Sequence, residues 1–150
     1  MSKVFIIGAT GGVGSRLGPM LVEAGHGVTG LHRRPDQADK LLSAGITPWL
    51  GDIMFMSVAE LAVATRDCDV VVFTAGAAGS GPERTTAIDG EGVIKTVHAA
   101  RANGIARVYL VSAFMDAGRA QPRKDGFEHY MKVKRQADNA LAQSELDWVI

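Results

Sequence analysis

The chain has 150 residues, and its 16 Lys and Arg offset 16 Asp and Glu for a formal net charge of zero. That balance excludes the broad basic surface of a nucleic-acid or anionic-membrane binder. A composition of 47% hydrophobic and 21% charged residues excludes a disordered chain, and the single cysteine, Cys68, excludes an internal disulfide. No apolar run approaches the roughly 18 residues of a transmembrane helix. Met1-Ser2-Lys3 leads straight into a strand-like run with no signal-peptide pattern. The expectation is one cytoplasmic domain spanning 1–150.

Short β-branched runs alternate with longer helical patterns, as in stacked βαβ units. Val4-Phe5-Ile6-Ile7 is an unbroken apolar run, a strand buried on both faces and ended by Gly8. Val13, Leu17, Met20, Leu21 and Ala24 recur at helical spacing, which predicts a helix over 13–24 closed by Gly25. Val28–Leu31 is a second strand, a weaker helix runs over 36–43, and Ile46–Leu50 is a third strand that Pro48 places near a sheet edge. Ser57 caps a helix over 58–65, Val70–Phe73 is the strongest strand, and 85–103 forms a long helix closed by Gly104. Val108–Val111 is the fifth strand. Residues 114–126 read as a loop with Arg119, Arg123 and Lys124 on a solvated face, and 127–143 as a helix. Leu146–Ile150 begins a sixth strand, and the sequence stops inside it. That reads as a truncated sheet or as one completed by another chain, and an open sixth strand invites a homodimer. Trp49 and Trp148 read as core or edge packing rather than ligand stacking, and Met54 and Met56 as gap fillers, with the lining of a pocket as the alternative.

Six strands with intervening helices predict a three-layer, doubly wound parallel sheet in the order 3-2-1-4-5-6. Ligands bind such sheets beyond the carboxyl ends of the strands. Function is therefore expected at 8–16, 32–34, 52–53, 74–81, 112–115 and 130–134.

Gly8, Gly11 and Gly14 fit a G-x-x-G-x-x-G spacing within Gly8-Ala9-Thr10-Gly11-Gly12-Val13-Gly14, between a buried strand and an amphipathic helix. The first glycine allows the turn, the second lets the backbone approach a pyrophosphate, and the third lets helix pack on sheet. The helix N-terminus then offers free N–H groups to the anion. A carboxylate after the second strand would suit the ribose of NAD, but the sequence has His32-Arg33-Arg34. Two guanidinium groups suit a 2′-phosphate, so NADP is favoured, with Asp36 leaving NAD as an alternative. Asp52 and Ile53 close the third strand, where an acid can accept from adenine and an isoleucine can pack on its ring. Thr74-Ala75-Gly76-Ala77 follows the fourth strand, and small residues there let a dinucleotide lie close to the backbone.

Tyr130 and Lys134 stand at i and i+4, on one helix face about 6 Å apart along the axis. An ammonium near a phenol lowers the phenol's pKa, and such a tyrosine can exchange a proton with a carbonyl or alcohol. Ser112, past the fifth strand, can hydrogen-bond the same oxygen. His26, His32, His98 and His129 have no metal-ligand spacing, so no metal site is expected, and His129 should be exposed. No Ser-His-Asp set with a nucleophile elbow is present.

The 8–14 loop, Asp52, Thr74-Ala75-Gly76-Ala77, Ser112 and Tyr130–Lys134 together resemble the short-chain dehydrogenase/reductase superfamily. The likeness is to its atypical NAD(P)H-binding, sugar-epimerase-like branch, and it covers essentially the whole chain. Ile88-Asp89-Gly90-Glu91-Gly92-Val93-Ile94 is similar to the start of that branch's fourth helix, with Asp89 where many relatives carry asparagine. The resemblance implies a Rossmann-type sheet and a Ser-Tyr-Lys arrangement. Tyr130 would be the proton donor or acceptor, Lys134 would bind the nicotinamide ribose and tune Tyr130, and Ser112 would orient the substrate oxygen. Relatives continue past the sixth strand with an extension that shapes the substrate pocket and is absent here. Three readings follow: an NADP-dependent oxidoreductase acting on a carbonyl or related small molecule, a non-catalytic NADP-binding sensor, or an NAD-dependent nucleotide-sugar epimerase.

Overall fold

The computed structural model describes residues 1–118, 120–122 and 126–150. Arg119, Arg123 and Lys124, assigned above to a solvated loop, lie outside the described residues. Six parallel strands, β1 (Lys3–Ile7), β2 (Gly27–His32), β3 (Thr47–Leu50), β4 (Val70–Phe73), β5 (Arg107–Leu110) and β6 (Asp147–Val149), pair in the order β3-β2-β1-β4-β5-β6. The expected doubly wound α/β sheet is therefore present. The order in which strands are added reverses between β1 and β4, so the carboxyl ends of these two strands flank the switch point.

Residue alternation in β1 explains the two-sided core. Phe5 and Ile7 face one way, joining Val71, Phe73 and Val108, and meet Val93, Val97, Ala137 and Leu141. Val4 and Ile6 face the other way, joining Val28 and Val72, and meet Leu17, Leu21 and Leu41. A strand covered by helices on both faces has no solvent side, so it is apolar throughout rather than at alternate positions. Phe5, Ile6 and Ile7 are all fully buried, and each such side chain contributes roughly 1.5–3 kcal/mol by leaving water. Pro48 does sit on an edge strand, β3, where the missing N–H faces no neighbour.

The helices are α1 (Gly14–Glu23), α2 (Ala38–Ser43), α3 (Val58–Ala64), α4 (Pro82–Thr85), α5 (Gly92–Asn103) and α6 (Phe127–Ala142). Ser57 caps α3 as expected, in a reciprocal capping box with Glu60. The single helix predicted over 85–103 is corrected. It begins earlier, with Pro82 in the first turn, where its missing N–H costs nothing. It also passes through a π-helical segment, Thr86–Glu91, before α5. The Thr85 and Thr86 hydroxyls donate back to the Gly81 and Pro82 carbonyls and compete with the regular ladder. Gly90 and Gly92 let this segment press against Val133 of α6 and Phe73 of β4, where a Cβ would crowd both. Asp89, inside the π segment, ends up only 2% exposed.

Trp148, read as a packing residue of core or edge, lies on the edge strand β6 and stays 41% exposed. One smaller expectation changes. His129 is half-buried rather than free on the surface, its Nε2 lying 2.9 Å from Thr86 Oγ1 and 3.2 Å from the Pro82 carbonyl. No helix among the described residues is long and apolar enough to cross a membrane.

Candidate active site

A groove of about 1640 Å³ runs along the carboxyl ends of the strands, from the 8–13 loop and Arg33 at one end to Tyr130 at the other. Its floor is set where β1 and β4 end. Gly8 has φ +92, and a Cβ there would lie 2.6 Å from the Ala75 nitrogen and 2.7 Å from Thr74 Oγ1. Only glycine accepts both that backbone and that contact. The Thr74 hydroxyl is shared between the Ile7 and Gly8 carbonyls at 3.2 and 3.1 Å, which ties the two strand ends together.

The loop that follows presents main chain rather than side chains. Gly14 is buried, and a Cβ on it would overlap the Gly8 carbonyl, so α1 packs directly on the turn. Gly11 and Gly12 differ. A Cβ on Gly11 would meet only the Gly8 oxygen at 3.4 Å, and one on Gly12 would meet nothing within 4 Å. Their bareness keeps space outside the protein clear. The α1 N-terminus has no side-chain cap and no acid in its first turn. No main-chain acceptor among the described residues takes the N–H of Gly12 or Val13. Uncapped donors at a positive helix end, beside a face clear of Cβ atoms, fit a diphosphate.

At the end of β2, Arg33 and Arg34 are both exposed and both line the groove. They are not equivalent. Arg34 Nε is 3.2 Å from Asp36 Oδ1, whereas Arg33 has no such partner among the described residues. Thr10 Oγ1 accepts from Gln37 Nε2 at 3.2 Å, which ties the glycine loop to the turn after β2. Beyond β3, the Asp52 carboxylate accepts from the Met54 N–H at 2.9 Å, and the Asp52 carbonyl accepts from Phe55 and Met56. Asp52 thus shapes its own turn while facing the groove beside Ile53.

The reactive end is built from side chains. Asp89 accepts the Ala77 N–H at 2.9 Å and so holds the segment after β4. That segment is strained further along, with Ala78 at φ 51. Lys134 is 2% exposed, and its Nζ donates to the Val111 carbonyl at 3.1 Å. Burial lowers its pKa from the ordinary value, against the raising effect of Asp89 and Asp138. Tyr130 faces the groove, and its phenol pKa is raised, first by burial and then by the Asp89 and Asp138 carboxylates. The expected lowering by Lys134 is therefore corrected: burial and two acids raise the phenol, and the Lys134 ammonium, held at the Val111 carbonyl, is not among the groups that act on it. Among the described residues the buried Ser112 hydroxyl has no hydrogen-bond partner, and neither has Oδ1 of Asp138.

The groove brings together Gly8, Thr10, Gly11, Gly12, Val13, Arg33, Arg34, Asp52, Ile53, Thr74, Ala75, Gly76, Ala77 and Tyr130. Gly14, Ser112 and Lys134 lie outside its lining. Gln37 and Asp138 were not anticipated. The Gln37 contact spans 27 residues of sequence and leaves no local signature. Asp138 could have been found by continuing the 130, 134 spacing one more turn. Among the described residues no three His, Cys, Asp or Glu side chains gather to hold a metal ion.

The sequence matches a family of NAD(P)H-binding proteins over residues 8–150. It is 34% identical over 150 residues to the uncharacterized sugar epimerase YhfK of Bacillus subtilis, covering 99% of this chain and 69% of that protein. A Bacillus halodurans structure, provisionally named an NAD-dependent epimerase/dehydratase, superposes with a TM-score of 0.87 at 30% identity, covering 99% of this chain and 68% of the other. The Bordetella bronchiseptica enzyme WbmH, solved with NAD+, shares the fold with a TM-score of 0.78 at 24% identity, over 99% of this chain and 54% of its own.

Proposed function

The chain belongs to the NAD(P)H-binding family, and from that footing we propose that it is an NADP-linked oxidoreductase reducing a carbonyl or related small molecule. The observation that carries this reading is the Tyr130 phenol, facing the groove that the glycine loop opens and held protonated at neutral pH. A phenol that keeps its proton is a general acid, able to donate to an oxygen as negative charge develops there. A bound nicotinamide supplies the hydride exchange. The chain's own residues do the rest. The Gly12 and Val13 amides hold the diphosphate, Asp52 and Ile53 seat the adenine, and Thr74 to Ala77 give a close-lying floor. The buried Lys134 braces α6 against the end of β5, and the Ser112 hydroxyl, enclosed outside the groove lining, is given no contact with the substrate oxygen. The choice of NADP rests on Arg33, whose guanidinium is free for a 2′-phosphate while Arg34 is engaged by Asp36.

A second reading is favoured by the likeness to proteins named as epimerases: an NAD-linked sugar epimerase, in which Tyr130 removes and returns the same proton. Titration of NADPH against NADH, followed by a carbonyl panel with wild type and Tyr130→Phe, separates the two. The oxidoreductase reading expects tighter NADPH binding and net NADPH oxidation that the substitution abolishes. Tighter NADH binding, with cofactor retained through purification and no net oxidation, would support the epimerase. Tight NADPH binding without turnover on any carbonyl would make the protein a sensor.

A further inference from the structure

Lys95 has no part in the arrangement described so far. It lies in the first turns of α5, half-buried, on the far side of the turn that carries Asp52 and Ile53. Its Nζ donates to the Ile53 carbonyl at 2.5 Å and the Met56 carbonyl at 2.8 Å, and lies 3.4 Å from the Met54 carbonyl. An ammonium has three donors and no acceptor, so three converging carbonyls satisfy it completely. Those carbonyls belong to a turn already closed on its inner side by the Asp52 carboxylate and carbonyl. One lysine therefore fixes the outward peptide dipoles of the whole turn, and with them the direction in which Asp52 and Ile53 face.

Two neighbours act on the same turn. Gly92, one turn before Lys95, is close enough to Ile53 that an added Cβ would stand 3.2 Å from its Cγ1. Arg84 of α4 reaches Met54 Sδ at 3.7 Å. The charged groups facing the ammonium are Glu91 and Asp52, whose carboxylates oppose the lowering of its pKa by burial. Charge-assisted hydrogen bonds are the stronger kind, so the Lys95 contacts dominate this set.

We propose that Lys95 is a positioning residue for cofactor binding: by gathering the Ile53, Met54 and Met56 carbonyls it sets the adenine seat of the groove without touching the ligand. The inference rests on the dinucleotide reading of the groove and adds to it the residue that orients the purine end.

The test compares wild type, Lys95→Met, Lys95→Gln and Gly92→Ala for binding of NADPH, adenosine 2′,5′-bisphosphate and reduced nicotinamide mononucleotide, with thermal midpoints recorded for each. Lys95→Met is expected to weaken NADPH and the adenosine bisphosphate about tenfold or more and to leave the nicotinamide mononucleotide unchanged. Lys95→Gln, which keeps a donor, should fall between, and it stands in if the methionine variant does not fold. Gly92→Ala disturbs Ile53 from the same helix and should show the same fragment selectivity. Equal losses on both fragments would make Lys95 a general stabiliser and overturn the proposal. Unchanged NADPH affinity in Lys95→Met would overturn it alone, while wild type that binds no dinucleotide would bring down the groove reading and this inference with it.

Discussion

The two ends of the groove are built by opposite strategies. The phosphate end is main chain: Gly8 and Gly14 are required by contacts within the protein, Gly11 and Gly12 by the space they leave open, and the donors are amides at an uncapped helix end. The reactive end is side chains brought from β5, the π segment and α6, with a buried lysine, two carboxylates, a phenol with raised pKa and an unpartnered serine hydroxyl. A main-chain site depends on backbone geometry and tolerates little change. A side-chain site depends on charge balance and can be retuned one group at a time. Binding should therefore be lost in large steps at one end, and chemistry should shift in smaller ones at the other.

The comparison breaks most sharply at the glycines. Gly14→Val places a branched Cβ on the Gly8 carbonyl, so calorimetry should find no measurable dinucleotide binding and the thermal midpoint should fall. Gly12→Ala separates binding from folding, since its methyl meets no protein atom. The midpoint should stay at the wild-type value while NADPH affinity drops by about tenfold or more, roughly the loss from displacing one charge-assisted hydrogen bond. Unchanged affinity in Gly12→Ala would remove the diphosphate from this face.

At the other end, Tyr130→Phe should lower kcat by about 10²–10⁴-fold, the usual contribution of a positioned general acid, with the dissociation constant for NADPH nearly unaltered. Arg33→Ala should weaken NADPH by about tenfold and leave NADH as it was, because only the 2′-phosphate loses a partner. Arg34→Ala should do less, since Asp36 already engages that guanidinium. Equal effects of the two arginines would contradict the asymmetry seen at the end of β2.

The same contrast decides what could be read from the residues in order. The phosphate end was legible because its determinants are local: a buried run, a glycine spacing and an amphipathic helix within 24 residues. The sheet order followed from the βαβ alternation, and the edge position of β3 from one proline. The reactive end was legible only as residue identities. Spacing placed Tyr130 and Lys134 on one face, but the direction of the phenol's pKa depends on burial and on Asp89, which comes from a different helix. The π segment was hidden because Thr85–Asn103 has an ordinary helical composition. What accompanies it, the Thr85 and Thr86 hydroxyl bonds and the close packing of Gly90 on Val133, involves contacts that the spacing of apolar residues does not encode. Lys95 reaches across some 40 residues to the turn after β3, a contact that no periodicity encodes.

The smallest expected effect tests the charge balance itself. Asp138 stands one turn beyond Lys134 on α6, with Oδ1 buried and unpartnered, and its carboxylate is one of the causes that raise the Tyr130 pKa. With the phenol raised above its ordinary value of 10.0, the proton is present throughout the neutral range. Reduction at saturating cofactor should therefore be flat there and fall only on the alkaline side. Linkage has the same sign: the folded chain keeps this proton to higher pH than the unfolded chain. The phenol's contribution to stability is complete below the unfolded value and is lost as pH rises through the folded one. Asp138→Asn removes one raising cause and leaves burial and Asp89 in place, so the alkaline limb should move to lower pH by a modest amount with kcat at neutral pH little changed. Tyrosinate absorbance, measured in a Tyr109→Phe background so that Tyr130 is the single reporter, should move the same way. A limb that does not move would leave the phenol's proton to burial and Asp89, and one that moves upward would contradict the raising effect of Asp138.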